Sequence, residues 1–143
     1  MTNKEFLQKP MRIQKRIDAL ILQKQSFEEL ANSIPGGNYS QPVVQKTRSQ
    51  QAPFIKWIDK IMEVEKKIER YKTLLADWVK LANSQIELVD NVDYSIVLKC
   101  RFIEQMAYED IGDKIYVSLA TVKRWLRYAI NDFGRINNYK IES

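Results

Sequence analysis

Apolar residues recur every three or four positions through the middle of the chain, which is the spacing of one face of an α-helix. The run starts at Phe54 and holds for about four heptads, as in a coiled-coil seam. Pro53 suits the first turn of this helix, because a proline there gives up no hydrogen bond. The residues expected along the seam are Trp57, Ile61, Val64, Ile68, Tyr71, Leu75 and Trp78.

This seam has two candidate partners. One is a first helix over about 4–31, which would form an antiparallel hairpin within the chain. The other is a second protomer, and a homodimer accommodates both arrangements. Pro10 leads us to expect that the regular first helix begins only there. Residues 32–53 lack periodicity and are rich in Ser, Gly, Asn and Gln, so we predict a flexible loop.

After residue 84 the pattern restarts in shorter pieces. We expect a short helix over 85–92, and then a helix that Asn91 or Asp93 caps and that ends near residue 105. The chain is therefore predicted to be all-α, with a helical hairpin or oligomerisation segment over 1–84 and a second helical domain over 85–143.

A helix, a turn and a second helix are predicted between residues 107 and 127. Ile111 and Ile115 lie four residues apart, on one face of a short helix. Gly112 is small enough for a neighbour to cross closely, and Val117 is expected to face inward from the turn.

Ser118 suits the N-cap of the second helix, and Val122 and Leu126 fall on its buried side. The opposite side carries small and cationic residues, which favour entry into a DNA major groove. That set is Ser118, Leu119, Ala120, Thr121, Lys123, Arg124 and Arg127.

Composition argues against catalysis and metal binding. The chain has no histidine, the usual general base and metal ligand, and its single Cys100 lies in an apolar stretch typical of a buried thiol. The carboxylates of Glu109, Asp110 and Asp113 are expected on the solvent-exposed face of a short helix, as surface residues rather than a paired catalytic site. We therefore expect no enzyme, no cofactor and no metal site.

The formal net charge of +5 is mild, but part of it is concentrated. Residues 118–135 contain four basic residues and one acidic residue. Such a basic helix is compatible with a nucleic-acid partner. We expect phosphate contacts from Lys114, Arg135 and Arg101.

Several segments between Tyr94 and Ile130 resemble, in order and spacing, the DNA-binding region 4 of bacterial sigma-70 factors. They are Arg101–Glu104, Tyr108–Gly112, Val117–Ser118, Thr121–Lys123 and Ala129–Ile130. The resemblance implies that the helix from Ser118 docks in the major groove of double-stranded DNA and that the domain touches RNA polymerase. Two departures are Gly112, where alanine is usual, and Tyr116, where glycine is common and a positive φ carries strain.

The chain has no counterpart of the sigma region that melts promoter DNA. Its overall plan is similar to phage and prophage late-gene regulators of the RinA or ArpU type. This resemblance implies a transcription regulator, in particular an activator of phage late genes in the cytoplasm of a bacterial host.

We expect a homodimer that reads a pseudo-palindromic site, with recognition helices roughly 34–36 Å apart. Two alternatives stay open: a module that binds RNA polymerase or a repressor, and the small subunit of a phage terminase. A membrane location is not expected, because no apolar run approaches the roughly 20 residues of a membrane span.

Overall fold

The first helix begins earlier than its proline suggests. The computed structural model describes residues 2–33 and 48–141, with side chains over 2–33 and 54–137, and α1 spans Asn3–Asn32. A capping box fixes its start: the Thr2 hydroxyl accepts a hydrogen bond from the Glu5 N–H at 3.1 Å, and the Glu5 carboxylate accepts one from the Thr2 N–H at 3.3 Å. The expected start at Pro10 is wrong, because the capping box starts the helix before this proline, and Pro10 itself is fully buried inside α1.

The second helix, α2, spans Arg48–Ile86 and is longer at both ends than its apolar seam. It begins at Arg48, so the expected place of Pro53 in the first turn is wrong; Gln50, Gln51 and Ala52, which precede the proline, all favour helix. Residues 34–47 of the predicted loop lie outside the described residues. At the other end, helix continues through Ser84, whose hydroxyl donates to the Leu81 carbonyl at 2.7 Å.

The short helix expected over 85–92 does not form. Ile86 and Val89 are both buried, and a tight turn joins them through a 3.0 Å hydrogen bond from the Val89 N–H to the Ile86 carbonyl. Helix α3 (Val92–Leu98) follows, and the Asn91 side chain caps it by accepting the Tyr94 N–H at 3.2 Å. Burial of the two apolar residues thus sets the end of α2.

The remaining described chain is also helical. A π-helical segment (Lys99–Ile103) continues α3, and Gln105 at φ 57° turns the backbone toward α4 (Tyr108–Ile115) and α5 (Leu119–Ile141). The described residues contain no strand, which confirms the all-α prediction. Across the same residues, every helix is too short or too polar to cross a membrane.

The chain forms two compact units, and the larger comprises Met1–Gln14 and Leu74–Ser143. The ring of Phe6, on α1, lies 5.4 Å from that of Trp78 and 5.7 Å from that of Phe133. The buried core of this unit is Leu7, Ile86, Val89, Val97, Leu98, Cys100, Phe102, Ile111, Val122, Leu126, Ala129 and Phe133. Gly134 completes the packing of α1 on α5, because a Cβ there would collide with the Asn3 amide group. The first turns of α1 thus belong to the same core as α5.

The smaller unit, Lys15–Thr73, contains an antiparallel pairing of α1 with α2. The Phe27 and Trp57 rings lie 5.6 Å apart, and the Lys24 ammonium lies 3.3 Å from the Glu65 carboxylate. Of the predicted seam residues in this unit, Ile61, Val64 and Ile68 are buried, and Trp57 and Tyr71 are half-buried.

The last two seam residues, Leu75 and Trp78, are half-buried in the larger unit. Pairing of the seam between two protomers stays a prediction.

Candidate nucleic-acid interface

Three residues, 116–118, join α4 to α5. Tyr116 ends α4 in the left-handed region, at φ 60° and ψ 45°. Its N–H and the N–H of Val117 both donate to the Gly112 carbonyl, the latter at 3.0 Å. Tyr116 thus adopts the positive φ that carries strain for a residue other than glycine. Because the Tyr116 side chain is 92% exposed, packing does little to offset the strain.

Gly112 gives this turn the space that it needs. A Cβ at residue 112 would lie only 2.8 Å from the Val117 carbonyl oxygen, closer than van der Waals contact permits. Val117 itself packs against the core of the larger unit. The close neighbour expected at Gly112 is therefore the backbone of the turn.

The start of α5 is fixed by Ser118, as its N-cap pattern predicts. The Ser118 hydroxyl accepts the Thr121 N–H at 3.2 Å and lies 2.9 Å from the Thr121 hydroxyl. Val122 is fully buried and Leu126 is 5% exposed, so this side of α5 faces the core. The direction of α5 is thus set by one polar cap and one apolar stripe.

Most residues predicted to face DNA lie on the solvent side of α5. Thr121, in its hydrogen bond with the cap, is half-buried. The exposed members of the set are Ser118, Leu119, Ala120, Lys123, Arg124 and Arg127. The Arg127 guanidinium lies 5.2 Å from the centre of the Tyr128 ring. No ion pair is found at Lys123, Arg124 or Arg127 among the described residues.

Two of the three expected phosphate contacts are paired with carboxylates. The Lys114 ammonium donates to Glu104 at 3.0 Å, and Arg135 pairs with Asp132. The hydrogen bond from Lys114 lowers the pKa of the Glu104 carboxyl below its ordinary value of 4.5. These two cations are thus partly neutralised by the protein itself.

Arg101 is held without a carboxylate from the described part of the chain. Its guanidinium donates to the Met106 carbonyl at 2.9 Å and lies 4.5 Å from the centre of the Tyr108 ring. A cation stacked on an aromatic face and bound by a neutral acceptor keeps its full charge. This arrangement fixes one positive charge at the start of α4.

Arg101 borders a groove of about 350 Å³ that we call the basic groove. Its lining combines four cations with apolar and amide side chains and, among the described residues, contains no carboxylate. The lining residues are Lys4, Gln8, Arg101, Phe102, Tyr108, Lys123, Leu126, Arg127, Ile130 and Asn131. None of the four cations forms an ion pair with another described residue.

Sequence reasoning missed the contribution of α1 to this groove. Lys4 and Gln8 are four residues apart and so share a helical face, but only if helix exists before Pro10. The signal was present in the capping-box pattern of Thr2 and Glu5. Packing of that face beside α5 has no signal in a single sequence.

The described residues offer little for covalent or metal chemistry. Cys100 is buried, and this burial, together with the Glu104 carboxylate, raises the pKa of its thiol above the ordinary value of 9.0. A thiol that stays protonated near neutral pH is a weak nucleophile. Across the same part of the chain, no three His, Cys, Asp or Glu side chains are grouped to hold a metal ion.

The chain is thus an all-helical protein whose last long helix exposes cations that no described carboxylate pairs. The family model DUF1492, described as a protein of unknown function, matches residues 58–134, which is more than half of the chain. The chain belongs to this family. The match extends from α2 through the turn at 116–118 into α5. Neither curated proteins nor solved structures gave a match.

Proposed function

We propose that this protein is a sequence-specific regulator of transcription that binds double-stranded DNA through the first half of α5. The observation that carries the proposal is the exposure of Lys123, Arg124 and Arg127, without ion pairs among the described residues, on a helix that starts after a three-residue turn. Arginine and lysine at such positions bind guanine edges and phosphates. The geometry of α4, turn and α5 supports a helix-turn-helix of the sigma region 4 type.

The start of α5 also suits an anionic partner. Backbone N–H groups at a helix N-terminus attract phosphate, and the Ser118 side chain satisfies one of them, that of Thr121. Leu119 and Ala120 are exposed there and lack long polar side chains, which lets the backbone approach the bases. In this proposal Leu119 and Ala120 contact base edges, while Arg124 supplies sequence discrimination.

The resemblance to RinA and ArpU regulators supplies the biological setting, which is activation of phage late genes. In this setting the protein acts as a homodimer on a pseudo-palindromic site. Light scattering tests the oligomeric state: a mass of twice the protomer supports the dimer, and a ring of many protomers supports a terminase small subunit instead.

The DNA-binding proposal is tested by removing two cations of α5. We expect Arg124→Ala with Arg127→Ala to weaken binding to promoter fragments, about tenfold or more for the lost Arg124 contact alone. Arg16→Ala with Arg70→Ala is the matched control, because both arginines are exposed and lie in the smaller unit. Unchanged affinity in the α5 variant, with its circular dichroism intact, would remove α5 from the interface.

Contact with RNA polymerase is a second candidate function. Val92 and Ile96 lie one turn apart on α3 and are 69% and 38% exposed, and nearby Leu88 is 48% exposed. Exposed apolar side chains grouped in this way favour a protein partner. Retention of purified polymerase by the wild type, and its loss in Val92→Asp, would support this contact; equal retention by both would exclude α3 from it.

A further inference from the structure

We propose that the basic groove binds one phosphodiester of the DNA backbone, so that the first turn of α1, through Lys4 and Gln8, is part of the DNA interface. This inference rests on the proposed function. It adds the start of α1 to the DNA interface, although this segment lies more than a hundred residues before α5 in the sequence. The groove collects side chains from α1, the π-helical segment, α4 and α5.

The charge of the groove calls for an anion. Lys4, Arg101, Lys123 and Arg127 line it, and none of them has a carboxylate partner among the described residues. Like charges around one concave site repel each other, and low-dielectric walls strengthen that repulsion. A bound phosphate offsets the repulsion, whereas a neutral ligand does not.

The donors of the groove suit phosphate oxygens in particular. One N–H of Arg101 is used by the Met106 carbonyl, which leaves others of its five for a ligand. The Gln8 side-chain oxygen accepts from Arg12 at 3.4 Å, so the Gln8 amide NH₂ remains a donor. A guanidinium fork held in place binds a phosphate with little loss of side-chain entropy.

The position of the groove places this phosphate on the path of the duplex. Lys123 and Arg127 belong both to the groove and to the cationic side of α5. Arg124, one residue after Lys123, does not line the groove. We therefore assign Arg124 to base contact and Lys123 with Arg127 to a flanking backbone contact, which fixes register without reading sequence.

Lys4→Ala tests this assignment in the full-length protein. Loss of one phosphate contact makes the slope of log K against log salt shallower by about 0.9, equivalent to about eightfold weaker binding at 0.1 M salt. The loss should be equal on promoter and unrelated DNA. Lys15→Ala is the matched control, since Lys15 is exposed on the same helix and lies outside the groove.

Lys4→Glu separates binding from folding. A carboxylate in the first turn of a helix is favourable for the helix, so the thermal stability of this variant should match the wild type while DNA binding falls further. A Lys4→Ala variant that binds with the wild-type affinity and slope would overturn the phosphate site and leave the proposed function standing. An equal loss of DNA affinity in Lys15→Ala would also overturn the phosphate site, because the net charge of the protein would then explain the effect of Lys4→Ala.

Two further outcomes are decisive. If the wild type binds DNA in none of these assays, the proposed function is wrong, and the phosphodiester site is wrong with it. If calorimetry shows that inorganic phosphate binds the wild type and not Lys4→Ala, while both bind DNA equally, the groove serves a free phosphate and the DNA assignment is wrong.

Discussion

Tyr116 occupies a backbone conformation that costs free energy for most residues other than glycine. Its φ of 60° is required because the turn must bring two N–H groups back to the Gly112 carbonyl. The ring is 92% exposed, so burial contributes almost nothing in compensation. The strain is therefore carried by the rest of the larger unit.

Replacing this tyrosine by glycine should raise the stability of the protein. We expect Tyr116→Gly to increase the free energy of unfolding by about 1 kcal/mol, because glycine adopts a positive φ without strain. Urea denaturation measures the change. Tyr116→Ala keeps the strain and removes the same exposed ring, so it should show no gain; an equal gain in both variants would contradict the backbone explanation.

The Glu104–Lys114 ion pair should give stability a pH dependence on the acid side. The pKa of Glu104 is lowered in the folded state, so the pair stabilises the protein above pH 4.5 and this contribution is lost as pH falls through the lower folded value. Both side chains are about half exposed, at 47% and 51%, so the effect is small.

Thermal melts of Lys114→Gln and wild type check this expectation. Their difference in Tm should shrink as the pH is lowered from about 6 to about 3. Lys123→Gln is the control, because Lys123 forms no ion pair with a described residue. A Tm difference for Lys114→Gln that does not vary with pH would show that the pair contributes nothing.

At the scale of elements, α5 depends on its cap. Ser118→Ala leaves the Thr121 N–H without its acceptor and should cost about 1 kcal/mol of unfolding free energy. Ser84→Ala provides the comparison, since Ser84 is exposed within α2 and caps nothing. Equal losses in the two variants would mean that the Ser118 cap is unimportant. Denaturant titration followed by tryptophan fluorescence distinguishes them.

Helix existence was predictable because apolar spacing reflects burial directly, as in the stretch from Phe54 to Ala82. Helix ends were less predictable. Pro10, Pro53 and Ser84 are breakers by propensity, yet each lies inside a helix. A capping box precedes Pro10, good helix formers precede Pro53, and the Ser84 hydroxyl bonds the Leu81 carbonyl. These local features outweigh the lost hydrogen bond and ring clash of each proline and the low helix propensity of serine.

At the scale of the molecule, the sequence predicted the α5 side of the candidate interface but not the α1 side. Lys123, Arg124 and Arg127 followed from their spacing beyond Ser118, because one helix sets their relative positions. The other wall of the basic groove comes from Lys4 and Gln8, which reach α5 only through tertiary packing. No periodicity in a single sequence encodes that contact.

Docking of the first turns of α1 should matter for the whole larger unit. Leu7 is fully buried in its core, so Leu7→Ala should lower the free energy of unfolding by roughly 2–5 kcal/mol. Leu22→Ala, on the same helix but 66% exposed, should change it by less than about 0.5 kcal/mol. Guanidinium titrations compare the two, and similar small losses would show that α1 is dispensable to this core.

The close packing at Gly134 has a consequence for the kinetics of DNA binding. Gly134 is buried, and the Asn3 amide lies where any side chain at residue 134 would be, so the helix start that carries Lys4 packs directly on α5. Under our proposals, the base contact of Arg124 and the phosphate contact of the basic groove therefore form in a single kinetic step. No separate closing motion of α1 is needed. Stopped-flow mixing with DNA would show this as one exponential phase, whereas a second, concentration-independent phase would reveal an arm that closes later.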